Sequence, residues 1–167
     1  GQGGFGQTYL AEDLHRFKEL CVLKEFIPQV SDPALLVKAN ELFEREAGVL
    51  YRLQHPQIPR FRELLRVENE PPRLFLVQDY VDGTTYRDLL NQRRAQGQAF
   101  SETEVRQFLQ QLLPVLAHIH SKRIIHRDIS PDNIILRRSD QLPVLIDFGV
   151  VKEVVARLQA DVPSTTV

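Results

Sequence analysis

The 167 residues carry a formal net charge of −1, with 43% apolar and 26% charged residues, the balance of an ordinary globular chain. No basic excess marks a nucleic-acid or anionic-membrane surface, no apolar run reaches membrane-spanning length, and no signal peptide opens the chain. The one cysteine, Cys21, cannot form an internal disulfide and no Cys/His spacing reads as a zinc site, which favours a reducing, cytoplasmic compartment.

The sequence contains no methionine and ends in "PSTTV" without a helix end or cap, so it reads as a piece of a longer chain. A membrane anchor or further domains would belong to what lies outside it.

Four of the eight glycines fall in "GQGGFG", Gly1 to Gly6. "QTYLAED" and "ELCVLKEF" then read as two strands with a short polar connection. "SDP", Ser31 to Pro33, is a helix start, and the helix is expected to run to Leu53 and stop before His55-Pro56. Strands follow around "RFRELLRVE" and "RLFLVQ". "TTYRDLLNQRRAQG" reads as a short helix ended by Gly97. The next helix opens on a Ser101/Glu104 capping box and carries Val105, Phe108, Leu109, Leu112, Leu116 and Ile119 at helical spacing. Pro114 is expected to kink it or end its first half. The chain is therefore α+β: a β-rich lobe with one main helix over residues 1–82, then a mostly helical lobe over 83–167, joined at about Asp79 to Gly83.

Three constellations carry chemistry. On "ELCVLKEF", Leu20, Val22, Lys24 and Phe26 share a face, so Lys24 points where the apolar residues point and needs a carboxylate partner. Leu35, Ala39, Leu42, Val49, Leu50 and Leu53 form the inward stripe of the first helix. Glu46 falls on that stripe, which makes a Lys24–Glu46 ion pair the simplest solution.

In the second constellation, Asn133 and Asp147 bracket two short apolar strands around "RRSDQ". A hairpin folded at Asp140 sets the two side by side as hard oxygen ligands suited to Mg²⁺. Asp128, five residues before Asn133, is close enough for the same loop to present it there. Without such a ligand role these are Asp/Asn turns that bond their own backbone.

The third is the glycine cluster. Gly1, Gly3 and Gly6 have the spacing G-x-G-x-x-G, but a strand follows, so a hairpin lying over phosphates fits better than a dinucleotide fingerprint. His118 and His120 stand two apart on a helix and cannot share a metal.

From "GQGGFGQTYLAED" through "CVLKEF", "FEREAGVLYRL", "LVQDYVDG" and "HRDISPDN" to "DFG", the chain resembles the eukaryotic-type protein kinases, their bacterial serine/threonine branch above all. The resemblance implies a bilobal kinase fold whose first strand is incomplete and whose helical lobe is truncated, with no "APE" and no lower helices. Such a piece is expected to leave Val105 and its helical neighbours short of cover.

The resemblance further implies ATP and Mg²⁺ as cofactors and a serine- or threonine-bearing protein as substrate. Gly1, Gly3, Phe5 and Gly6 would cover the ATP phosphates, and Lys24, steadied by Glu46, would hold the α and β phosphates. Asp128 would be the base, with Asn133 and Asp147 on magnesium. The adenine would lie against Val22 and Ile135, with Thr8 above, Gln78 as gatekeeper, and hinge backbone from Asp79 to Val81. His126 and Phe148 match packing positions. Thr8 and Val22 stand where valine and alanine are usual, which implies a narrower, more polar slot.

Ser130 departs from the pattern, since lysine is usual there and no cation within the loop replaces it. A nucleotide-binding pseudokinase scaffold is the alternative that this substitution motivates. A small-molecule kinase is a third reading, which the intact "HRD" and "DFG" oppose. The tail "VVKEVVARLQADVPSTTV" corresponds to the activation segment. Ser164, Thr165 and Thr166 are its candidate phosphosites, and Arg127 the residue that would pair with the phosphate. Val150, Val151, Val154, Val155 and Leu158 give that segment helical spacing.

Overall fold

The computed structural model describes residues 2–3, 6–28, 32–69 and 72–148. These divide into two compact units: residues up to Leu53 with Arg60–Tyr80, and Gln54–Pro59 with Val81–Phe148.

The first unit is an antiparallel sheet with one helix. Strands β1 (Gln2–Gly3), β2 (Gly6–Asp13), β3 (Glu19–Phe26), β4 (Phe61–Val67) and β5 (Arg73–Asp79) lie in the order β1-β2-β3-β5-β4. Helix α1 (Pro33–Tyr51) begins where the sequence predicts. The Asp32 carboxylate accepts the N–H groups of Ala34 and Leu35 at 2.8 and 3.2 Å, and Pro33 occupies the first turn, where no N–H is needed.

The buried stripe of α1 is rotated from the expected one. Ala39 is buried as expected, but the stripe continues through Phe43 and Ala47, each four residues on, while Leu35, Leu42, Val49 and Leu50 are only half-buried. Two alanines let the helix approach closely, and the Phe43 ring between them stacks on Phe26 of β3 at 4.3 Å between centroids. The leucines flank this contact. Leu53 is buried as expected but lies beyond the helix, which ends at Tyr51.

In the second unit, α2 (Tyr86–Ala95) and α3 (Glu102–Ser121) accompany a three-stranded sheet of β6 (Gly83–Thr85), β7 (Ile134–Arg137) and β8 (Pro143–Leu145), in that order. Gly97, at φ 67°, follows α2, and the Ser101/Glu104 capping box opens α3. Strand β6 has no counterpart in the sequence pattern. Gly83 pairs with Arg137 so closely that a Cβ there would lie 2.3 Å from the Leu136 carbonyl oxygen.

Pro114 does not end α3, which runs unbroken through it. Its buried face is Leu112, Val115 and Ile119, packed with Ile134, Val144 and Leu145 as the core of this unit. Val105 and Leu109, at the same helical spacing, are 44% and 43% exposed, short of cover as expected. Their stretch of the helix contributes instead to an apolar groove with Tyr86, Phe108 and Ile129.

Gln54–Pro59 joins the second unit through polar contacts that no local pattern announces. The Gln57 amide donates to the carbonyls of Pro143 at 2.8 Å and Gln111 at 3.2 Å, and Leu145 N–H donates to the Gln57 carbonyl at 2.9 Å. Among the described residues, no helix is long and apolar enough to cross a membrane.

Candidate active site

In the first unit the strand register decides which residues share a face. Thr8 stands opposite Lys24, Val22 opposite Gln78, and Lys24 also opposite Leu76. Directly paired residues point the same way, so Thr8, Val22, Lys24 and Gln78 line one face of the sheet. Phe26 belongs to that face and is the residue stacked on α1, so the lysine and the helix lie on the same side. Lys24 is half-buried. Glu46 is in α1, four residues from Leu42 as expected, but its side chain lies outside the described residues, and with it the expected ion pair.

The glycine cluster forms a hairpin. Gln2 pairs with Gln7 and Gly3 with Gly6, antiparallel. Gly1 and Phe5, both expected over the phosphates, lie outside the described residues, as do Ser164, Thr165, Thr166 and the whole segment from 149 onward. Asp79 ends β5, and Val81 follows two residues later, half-buried.

In the second unit the catalytic-loop motif closes on itself. Asp128 N–H donates to His126 Nδ1 at 3.3 Å. That acceptor role leaves the proton on Nε2, which donates to the Ile146 carbonyl at 2.9 Å. Ile146 N–H donates to the Asn133 carbonyl at 2.9 Å, and the Asn133 side-chain amide donates to the Asp128 carbonyl at 2.8 Å. Four residues thus form a ring of hydrogen bonds around His126, which is 1% exposed and packs on the Phe148 ring at 4.6 Å. The backbone of Asp128 and both backbone and side chain of Asn133 are held by this ring.

Asp147 comes directly after Ile146. The hairpin pairs Ile134 with Leu145 and Ile135 with Val144, so Asn133 stands opposite Ile146 and Asp147 is one residue further on. The expected fold at Asp140 is therefore displaced by half a residue. Asp147 has φ 59° and Arg127 φ 64°, left-handed values that non-glycine residues seldom adopt away from constrained sites.

The Asn133 nitrogen faces Asp128, so its Oδ1 is the atom offered outward, an oxygen of the kind Mg²⁺ takes. Among the described residues no three His, Cys, Asp or Glu side chains cluster to hold a metal. An all-protein cage is not the Mg²⁺ pattern, however, since that ion takes one or two protein oxygens and completes its shell with phosphates and water.

Ser130 precedes the short turn Pro131–Asn133 without capping it. The sequence offers no cation within the loop to replace the usual lysine, but tertiary structure brings one to the loop. Arg87 of α2 donates to both carboxylate oxygens of Asp132 at 3.0–3.2 Å. That guanidinium holds the Asp132 carboxyl below its ordinary pKa. Ile135, expected against adenine, is in β7 opposite Val144 and Thr85.

The family described as "Protein kinase domain" matches residues 1–167. The chain is 49% identical over 148 residues to "Serine/threonine-protein kinase-like protein E" of Synechocystis, a match covering 89% of this chain and 23% of that protein. To "Serine/threonine-protein kinase PknA" of Nostoc it is 44% identical over 156 residues, covering 92% and 26%. The chain thus spans about a quarter of the length of these curated relatives.

Among solved structures, "PpkA-294 apo form" superposes with a TM-score of 0.75 at 28% identity, covering 98% of this chain and 60% of that one. The kinase domain of PknI from Mycobacterium tuberculosis gives 0.69 at 26% identity, over 90% and 56%. With the family match spanning every residue and the architecture of solved kinase domains in both units, the chain belongs to the protein kinase domain family.

Proposed function

We propose that the protein of which this chain is part is a Mg-ATP-dependent serine/threonine protein kinase, transferring the γ-phosphate of ATP to a protein hydroxyl in the cytoplasm. The observation that carries this reading is the hydrogen-bonded ring of Asp128, His126, Ile146 and Asn133. Phosphoryl transfer asks for positioning and charge neutralisation more than for covalent chemistry, and the ring supplies positioning. The relatives' names support serine or threonine as the acceptor.

In this reading Asp128 accepts the proton of the substrate hydroxyl, and its backbone cannot drift because both its N–H and its carbonyl are engaged. Asn133 Oδ1 and the Asp147 carboxylate hold magnesium, which when bound neutralises charge on the phosphates. Lys24, steadied by Glu46, holds the α and β phosphates, and Gly1, Gly3, Phe5 and Gly6 cover them. Thr8, Val22 and Ile135 bound the adenine slot, Gln78 limits its depth, and backbone from Asp79 to Val81 contacts the base. The N-terminal lobe of this reading is residues 1–82. Phosphorylation at Ser164, Thr165 or Thr166, read by Arg127, orders the activation segment.

The test is transfer of labelled phosphate from ATP to protein by the complete protein, with and without Mg²⁺, beside Asp128→Asn. The expected result is Mg²⁺-dependent transfer to serine or threonine that Asp128→Asn reduces by at least about a hundredfold. Equal transfer by wild type and Asp128→Asn refutes it.

A further inference from the structure

Arg62 is a buried cation at the end of β5. Its side chain is 8% exposed. Nε donates to Asp79 Oδ1 at 2.6 Å, Nη1 to Asp13 Oδ2 at 3.3 Å, and Nη2 to Glu19 Oε2 at 3.0 Å and the Leu20 carbonyl at 3.4 Å. A guanidinium out of water needs such partners, and here they come from the ends of three strands, β2, β3 and β5. Glu19 is more than half exposed and contributes least, so Asp79 and Asp13 are the partners that matter.

The backbone is distorted to achieve this. Phe61 pairs with Gln78 and Glu63 with Val77, so Arg62 is an extra residue in β4, a bulge that interrupts the ladder. A bulge re-aims a side chain at the expense of regular pairing. Here it turns Arg62 to the face of the sheet that carries Asp79, opposite the Lys24 face. Arg60 completes the grip: it approaches the other Asp79 carboxylate oxygen at 3.7 Å, and its carbonyl accepts Asp79 N–H at 2.9 Å. Both carboxylate oxygens and the N–H of Asp79 are thus engaged by β4 and the residues just before it.

We propose that Arg62 is a positioning residue for nucleotide binding. By fixing Asp79 from the far face of the sheet it holds, in advance, the backbone from Asp79 to Val81 that meets the adenine, without itself touching the nucleotide. The inference rests on the kinase reading above. A preorganised strand end saves the ordering cost that ATP binding would otherwise meet. The effect therefore belongs in affinity and not in the chemical step.

The experiment measures KM for ATP, kcat and thermal midpoint for the complete protein carrying Arg62→Met, Arg62→Lys, Asp79→Asn or Arg62→Met with Asp79→Asn. Arg62→Met is expected to raise KM for ATP about tenfold while kcat stays within about twofold. Arg62→Lys recovers part of the affinity. Asp79→Asn shifts KM in the same direction, and the double variant adds nothing to Arg62→Met, as for two groups acting through one contact. An unchanged KM in Arg62→Met overturns the proposal, as does a joint loss of kcat and stability that lysine does not rescue. Should Arg62→Met fail to fold, Asp79→Asn carries the same two outcomes. Asp128→Asn, measured in parallel, separates the levels. If it transfers phosphate as well as wild type, the kinase reading and this inference both fall. If it is inactive while Arg62→Met leaves KM unchanged, only the positioning role falls.

Discussion

Replacing His126 by phenylalanine keeps a planar ring against Phe148 and removes both nitrogens from the ring of hydrogen bonds. Asp128 N–H and the Ile146 carbonyl are then left without the imidazole, in a place where His126 is 1% exposed. An unsatisfied buried polar group costs about 1–3 kcal/mol, so the two together cost on the order of 2–6 kcal/mol. For a domain of this size that lowers the thermal midpoint by about 5–20 °C.

The functional consequence follows from the same geometry. With one side of the ring open, Asp128 and Asn133 keep their mutual bond and Asn133 keeps its bond from Ile146 N–H, but Asp128 loses its own tie, through the imidazole, to the segment carrying Asp147. Misplacement on the order of 1 Å costs up to about a hundredfold in rate, so kcat is expected to fall between about tenfold and a hundredfold. KM for ATP should change far less. Differential scanning fluorimetry and steady-state phosphorylation at a temperature below the lowered midpoint measure the two effects separately. A variant that melts within about 1 °C of wild type and turns over normally would show that the ring positions nothing.

Other outcomes follow from single contacts. Gly83→Ala places a Cβ against the Leu136 carbonyl and the Ile135 side chain, and is expected to destabilise by about 1–3 kcal/mol in denaturant unfolding, because backbone and a β-branched side chain yield little. The Glu104 carboxyl is held down to a pKa of about 2, first by its bond from Arg93 and then by Ser101. Because the native state binds fewer protons there than the unfolded chain, its contribution is fully present above about pH 4.5 and is lost as pH falls towards 2, which a carboxyl NMR titration reads directly. Burial, and secondarily the neighbouring His118, keeps His55 below the usual histidine range, so its native state resists protonation. Stability from that group is full above about pH 6.5 and declines as pH falls below it, and His118→Gln should raise the His55 pKa in a proton NMR titration.

Features governed by near neighbours along the chain are legible in the sequence alone. The capping box at Ser101, the Asp32-Pro33 helix start, the glycine after α2 and the alternating strands depend on backbone groups a few residues away, and all occur where the residues predict them. The order of elements and the family likeness are legible for the same reason, since each motif is a short run whose side chains carry its meaning.

Tertiary structure decided whatever depends on distant backbone. Ile146 enters the ring only through its main chain, so no side-chain pattern marks it. The half-residue displacement of the hairpin comes from strand pairing, which a midpoint between two polar residues cannot resolve. The rotation of α1 onto Ala39, Phe43 and Ala47 reflects how closely small residues let a helix approach a sheet, which hydrophobicity alone ranks wrongly. Arg62 reads in sequence as one charge among many on an edge strand. Only the bulge, set by pairing with β5, turns it inward onto Asp79. Local physics names the elements, and packing at a distance chooses which faces and which backbone groups meet.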